Sequence, residues 1–109
     1  MTPKVKEKEA GIQKAILDYL APRKIFHYRQ NSGAMVSEYK GKKRFMRFGA
    51  NGSSDIVCVI GGIYTAIEIK GPEGVQSENQ KQFQKDLEKA GGRYLLVRSL
   101  EELVGKINK

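Results

Sequence analysis

The chain has one cysteine, Cys58, and one histidine, His27. An internal disulfide is therefore excluded, and the thiolate and imidazole sets that hold zinc have almost nothing to draw on. Cys58 sits in an apolar run and reads as a small buried hydrophobe. His27 alternates with Phe26 and Tyr28 in a strand-like run and is assigned no catalytic role. No apolar stretch approaches the roughly 18 residues that a membrane span requires, and Met1 to Glu9 has no signal-peptide core. A cytoplasmic protein without a membrane partner is expected. Internal repeats and low-complexity tracts are also missing, and 109 residues leave room for one domain with one core, spanning residues 1–109.

Acidic residues are scarce where basic ones are dense. Against 20 Lys and Arg stand 12 Asp and Glu, a net charge of +8. Residues 1–54 carry 12 basic and 4 acidic side chains and residues 55–109 carry 8 of each, so the whole excess lies in the first half. Its densest part is Lys40, Lys42, Lys43, Arg44 and Arg47, interleaved with Tyr39, Phe45 and Phe48. Such a cluster serves either as a solvated surface or as a contact for a polyanion such as DNA. It lies on no amphipathic helix, which argues against an anionic membrane.

What the chain does have is a pair of β-branched runs, Asp55 to Ile60 and Ile63 to Lys70, joined by Gly61-Gly62. Two glycines between such runs predict a tight primed-turn hairpin. With those glycines as the turn, Ile60 pairs with Ile63, and the register carried outward sets Asp55 against Glu68. Carboxylates held roughly 4.5 to 5.5 Å apart repel each other unless something neutralises them. Alternation puts Tyr64, Ala66, Glu68 and Lys70 on one face and Ile63, Thr65, Ile67 and Ile69 on the other. Carboxylate oxygens, completed by water and phosphate oxygens, suit Mg²⁺, and Mn²⁺ accepts the same donors. The competing reading makes Glu68 and Lys70 polar residues on a solvated strand face.

Around this hairpin the chain reads as alternating helices and strands. Ile12, Ile16, Tyr19 and Leu20 recur at helical spacing, and Pro22 ends the segment, predicting a first helix from Glu7 to Leu20. Glu9 and Gln13 share its apolar stripe, where a carboxylate needs a partner, although Glu9 could also favour the helix dipole. Ile25 to Arg29 reads as a short strand, and Asn31-Ser32-Gly33 as a turn. Met35 to Tyr39 and Arg44 to Phe48 form a second hairpin, with the basic cluster at its tip. Gly71-Pro72-Glu73-Gly74 stops the Glu68 strand. Ser77 opens a helix that carries Phe83 and Leu87 on one face and closes at Gly91-Gly92. Ser77 with Gln80 three residues on is a capping box, followed by a strand over Arg93 to Arg98 and a short helix capped by Ser99.

Gly52-Ser53-Ser54-Asp55, Glu68-Ile69-Lys70 and Gln80 at a helix start resemble the motif set of the virus-type replication and repair nuclease (VRR-NUC) domains, a branch of the PD-(D/E)XK nuclease superfamily. Glu9 to Gln13, Asn31 to Ala34, Arg47-Phe48-Gly49, Gly91-Gly92 and Val97-Arg98-Ser99 extend the resemblance from about Glu9 to about Leu103. Ala50-Asn51 departs from it, standing where many members have a proline-containing turn. The resemblance implies an α/β fold, a small mixed β-sheet flanked by helices with a restriction-endonuclease-like core. It also implies Mg²⁺-dependent hydrolysis of DNA phosphodiesters. Asp55 and Glu68, helped by the carbonyl of Ile69, would be the metal ligands. Lys70 would be the catalytic lysine, as base or as charge stabiliser, with Glu9 and Gln80 supporting the site. Lys40, Lys42, Lys43, Arg44, Arg47, Asn31 and Ser32 would meet the DNA. For a domain this small, a homodimer acting on branched DNA such as four-way junctions is implied. The alternatives are a non-catalytic nucleic-acid-binding module and a restriction-type or RNA-directed nuclease of the same superfamily.

Overall fold

Gly61 and Gly62 both take positive φ, +58° and +81°, the sign that a type I′ turn demands of its two central residues. In the computed structural model, which describes residues 3–30, 34–39, 42–47 and 54–108 and the side chains of 9–30 and 54–108, this turn joins β4 (Ile56–Ile60) to β5 (Ile63–Ile69). The register runs antiparallel from Ile60↔Ile63 to Ile56↔Ile67, as the glycine pair predicts. β6 (Arg93–Val97) lies parallel to β5, and β1 (His27–Arg29) lies antiparallel to β4. The result is a four-stranded mixed sheet in the order β1-β4-β5-β6.

Helices cover both faces of this sheet. Helix α1 (Pro3–Leu20) and helix α3 (Leu100–Ile107) close over one face, where Ile16, Leu20 and Leu103 pack with Ile56, Cys58, Ile67, Ile69, Leu95 and Val97. Burying one such aliphatic side chain contributes about 1.5–3 kcal/mol, so this layer carries most of the fold's stability. Cys58 is fully buried within it, and burial pushes its thiol up to about 11, which leaves it inert. Alternation sends Tyr94 to the opposite face, where its ring meets Phe83 of α2 (Glu78–Lys89) at 6.2 Å between centroids. Phe83 and Leu87 are only half-buried, so α2 lies shallowly on the sheet. Its start bears the expected capping box: Ser77 Oγ accepts the Gln80 N–H, and Gln80 Oε1 accepts the Ser77 N–H.

Several boundaries differ from the sequence reading. Helix α1 starts at Pro3 rather than Glu7, because proline is well placed in a first helical turn and the Lys and Glu residues after it are good helix formers. The first strand is shorter than expected and begins at His27. The second hairpin consists of β2 (Ala34–Tyr39) and β3 (Lys42–Arg47), paired from Ala34↔Arg47 to Tyr39↔Lys42. Lys42, Lys43 and Arg44 are therefore strand residues and not part of the tip, since a two-residue connection suffices for an antiparallel pair. Lys43 stands opposite Glu38. Asn31, Ser32 and Lys40 lie outside the described residues. Among those described, no helix is long and apolar enough to cross a membrane.

Candidate active site

Glu9, Asp55, Glu68, Lys70 and Gln80 meet where β5 leaves the sheet, between α1 on one side and the start of α2 on the other. Asp55 enters just before β4. The ladder ends at Ile56↔Ile67, and Asp55 N–H also donates to the Ile67 carbonyl, at 3.0 Å. Two residues thus face one, the arrangement of a β-bulge, which bends the strand at Asp55. The expectation that Asp55 pairs squarely with Glu68 is corrected accordingly. The bend turns the Asp55 carboxylate along the edge of β5, and its Oδ2 accepts the Ile69 N–H at 2.8 Å.

The two acids nonetheless act on each other. Glu68 is 4% exposed, which rules out the solvated-face reading. Burial first, and then the charge of Asp55, push its carboxyl up to about 8, with Lys70 opposing. Burial likewise raises Asp55 above the usual carboxylate range, opposed chiefly by the Ile69 N–H. Lys70 Nζ lies 3.7 Å from Glu68 Oε2, so the two side chains share a face as alternation predicts. A single lysine at that distance does not neutralise two desolvated acids.

Gln80 joins the site to the helix behind it. Its Oε1 completes the capping box while its Nε2 donates to Glu68 Oε2 at 2.9 Å. Capping and site support are competing readings of the sequence, and the one amide both caps the helix and bonds Glu68. Glu9 is half-buried, and its Oε2 accepts the Gly71 N–H at 3.0 Å, tying α1 to the residue that follows Lys70. On the other side Arg98 Nη1 donates to the Gly71 carbonyl. The role of Arg98 is not apparent from sequence, although the parallel register Ile69↔Val97 sets it beside Lys70. A cleft of about 220 Å³ opens here, lined by Glu9, Ala10, Gln13, Asp55 and Ile69.

The donor chemistry suits a hard divalent cation. Among the described residues no three His, Cys, Asp or Glu side chains form a ready-made metal cage. Mg²⁺ does not need one, because it keeps several waters and commonly takes only one or two carboxylates. Asp55 and Glu68 supply two, and Ile69 lines the cleft beside Asp55. Glu68 Oε1 is buried with no hydrogen-bond partner, leaving a lone pair available. Of the expected DNA contacts, Lys42, Lys43, Arg44 and Arg47 all lie on β3, in a sheet separate from the one that carries Asp55 and Glu68. No family model matches the chain, and comparison with curated proteins gives no match.

Proposed function

We propose that this chain is a metal-dependent DNA endonuclease with a restriction-endonuclease-like core, as its resemblance to the VRR-NUC domains implies. The observation that carries the reading is the desolvated acid pair: Asp55 and Glu68 are both driven toward protonation, Lys70 lies 3.7 Å from Glu68, and Asp55 lines the adjoining cleft. Buried acids under mutual repulsion are what a cation relieves when it binds between them. Asp55, Glu68 and the Ile69 carbonyl would hold Mg²⁺ or Mn²⁺. Such an ion supplies Lewis acidity toward a phosphate oxygen and a bound water.

The chain's own residues do the rest. Gln80 fixes the Glu68 carboxylate through Oε2. Glu9 and Arg98 clamp Gly71 from its N–H and its carbonyl, which holds the backbone beside Lys70. Lys70, with its side chain 17% exposed, keeps its ammonium 3.7 Å from Glu68 Oε2. From there its ammonium can meet a phosphate oxygen or the attacking water. A two-fold dimer would present two such sites to the two strands of a branched DNA.

The test is incubation of the pure protein with labelled linear, flap and four-way DNA in Mg²⁺, Mn²⁺ or EDTA, with sedimentation of the same preparation at micromolar concentration. Cleavage in either metal, none in EDTA, and a dimer are expected. DNA binding without cleavage in either metal would replace the enzyme by the binding module.

The basic hairpin makes a separate prediction. Removing one cation–phosphate interaction lowers the slope of log K against log salt by about 0.9, so neutralising Lys42, Lys43 and Arg44 together should flatten it by between about 1 and about 3. An unchanged slope would make β3 an ordinary solvated surface.

A further inference from the structure

Two side-chain polar atoms among the described residues are buried without a hydrogen-bond partner, Glu68 Oε1 and the hydroxyl oxygen of Tyr94. They belong to neighbouring parallel strands. Tyr94 pairs with Ala66, two residues before Glu68, so both side chains stand on the face that α2 covers. Strands lie roughly 4.8 Å apart, and a phenol is long enough to reach along its neighbour by one side-chain step. Tyr94 is 6% exposed, with its ring held against Phe83. Gln76 lies beside the phenol without a hydrogen bond to it, and its Nε2 donates to Gln84 Oε1 at 2.7 Å. Burial, opposed by the neighbouring Gln76 and aided by the charges of Glu68 and Asp55, pushes the phenol up to about 12.

A buried hydroxyl with nothing to bond is costly, as is a buried carboxylate oxygen with no donor. An ionised Glu68 can only accept hydrogen bonds, and Gln80 serves just one of its oxygens. We propose that Tyr94 is a positioning residue for Glu68, its hydroxyl supplying, through one buried water, the hydrogen bond that Oε1 lacks when the carboxylate is ionised and holding a cation. Gln80 and Tyr94 would then fix the carboxylate plane from its two ends, as second partners of metal ligands commonly do. The inference rests on the reading of Asp55 and Glu68 as a metal site.

Tyr94→Phe removes the hydroxyl and keeps the ring. Mn²⁺ titrated calorimetrically into the 109-residue chain, with melting in EDTA measured alongside, separates the outcomes. The dissociation constant for Mn²⁺ should rise about tenfold, within the range that loss of such partners produces, while the metal-free melting temperature stays level or rises. Tyr64→Phe, on the same strand as Glu68, should change neither. Unchanged Mn²⁺ affinity in Tyr94→Phe, with binding lost in Asp55→Asn, overturns the role of Tyr94 and leaves the metal site standing. Unchanged affinity in Asp55→Asn removes the site and the inference together. A clear fall in the metal-free melting temperature of Tyr94→Phe means that the hydroxyl serves the fold, and also overturns the proposal.

Discussion

Metal-free protein should melt on the order of 10 °C lower at pH 8 than at pH 5. The carboxyl of Glu68 is held at about 8 by burial and by Asp55, against about 4.3 for an unfolded glutamate. The folded state therefore keeps its proton where the unfolded chain has lost it. For an acid raised in this way, the stabilising contribution is fully present below the unfolded value and is lost as pH rises through the folded one. Asp55 is shifted in the same direction and adds to the effect. At about 1.4 kcal/mol per pH unit, and discounted for solvent in the cleft, the loss is roughly 3 kcal/mol, or several degrees per kcal/mol in a domain of this size. Glu68→Gln should abolish most of the pH dependence and raise the melting temperature in EDTA at pH 8. On the proposed reading Mg²⁺ or Mn²⁺ should stabilise the wild type by binding the folded state, and Glu68→Gln should abolish that gain. Lys70 offsets part of the repulsion, so the gain should be larger in a Lys70→Met background. Glu68→Gln and Asp55→Asn proteins that melt below the wild type in EDTA and still respond to metal would show that the two acids share no cation site.

Cleavage should respond to the same residues more steeply. Asp55→Ala, Glu68→Ala and Lys70→Ala should each lower kcat by about three orders of magnitude, the scale on which a positioned charge or proton-transfer group acts. Gln80→Ala should cost less, about tenfold, because it orients Glu68 and does not touch substrate. It also removes half of the capping box, at about 1 kcal/mol in stability. Melting curves on the same preparations separate lost chemistry from lost fold. Undiminished cleavage by both Glu68→Ala and Lys70→Ala would place any nuclease activity elsewhere in the molecule.

The parts of this site that can be read in advance are those governed by short-range rules. Gly61-Gly62 prescribes a primed turn, the turn prescribes the register, and the register brings Glu68 and Lys70 to one face. Ser77 and Gln80 announce a helix start three residues apart. The bend at Asp55 is hidden because a bulge is an accommodation to neighbours, and its sign here is one extra hydrogen bond to Ile67. The second bond of Gln80 escapes for a related reason. Sequence spacing reveals a local partner, while the reach to Glu68 depends on how α2 lies across the sheet. Arg98 and Tyr94 become visible only with the parallel pairing of β5 and β6, which brings together residues about 28 positions apart and leaves no periodic trace. The basic run of β3 is legible as charge but not as geometry, because three lysines and arginines in a row suit a strand as well as a loop.

On the proposed reading Asp55 and Glu68 together hold a divalent cation, which a crystal soaked in Mn²⁺ and measured at the manganese absorption edge would reveal. One strong anomalous peak is expected at the exit of β5, about 2.0–2.2 Å from a carboxylate oxygen of each acid, within reach of the Ile69 carbonyl, and absent from Glu68→Gln crystals soaked in the same way. A fully soaked crystal with no peak at that position, or an undiminished peak in the Glu68→Gln crystal, would contradict it.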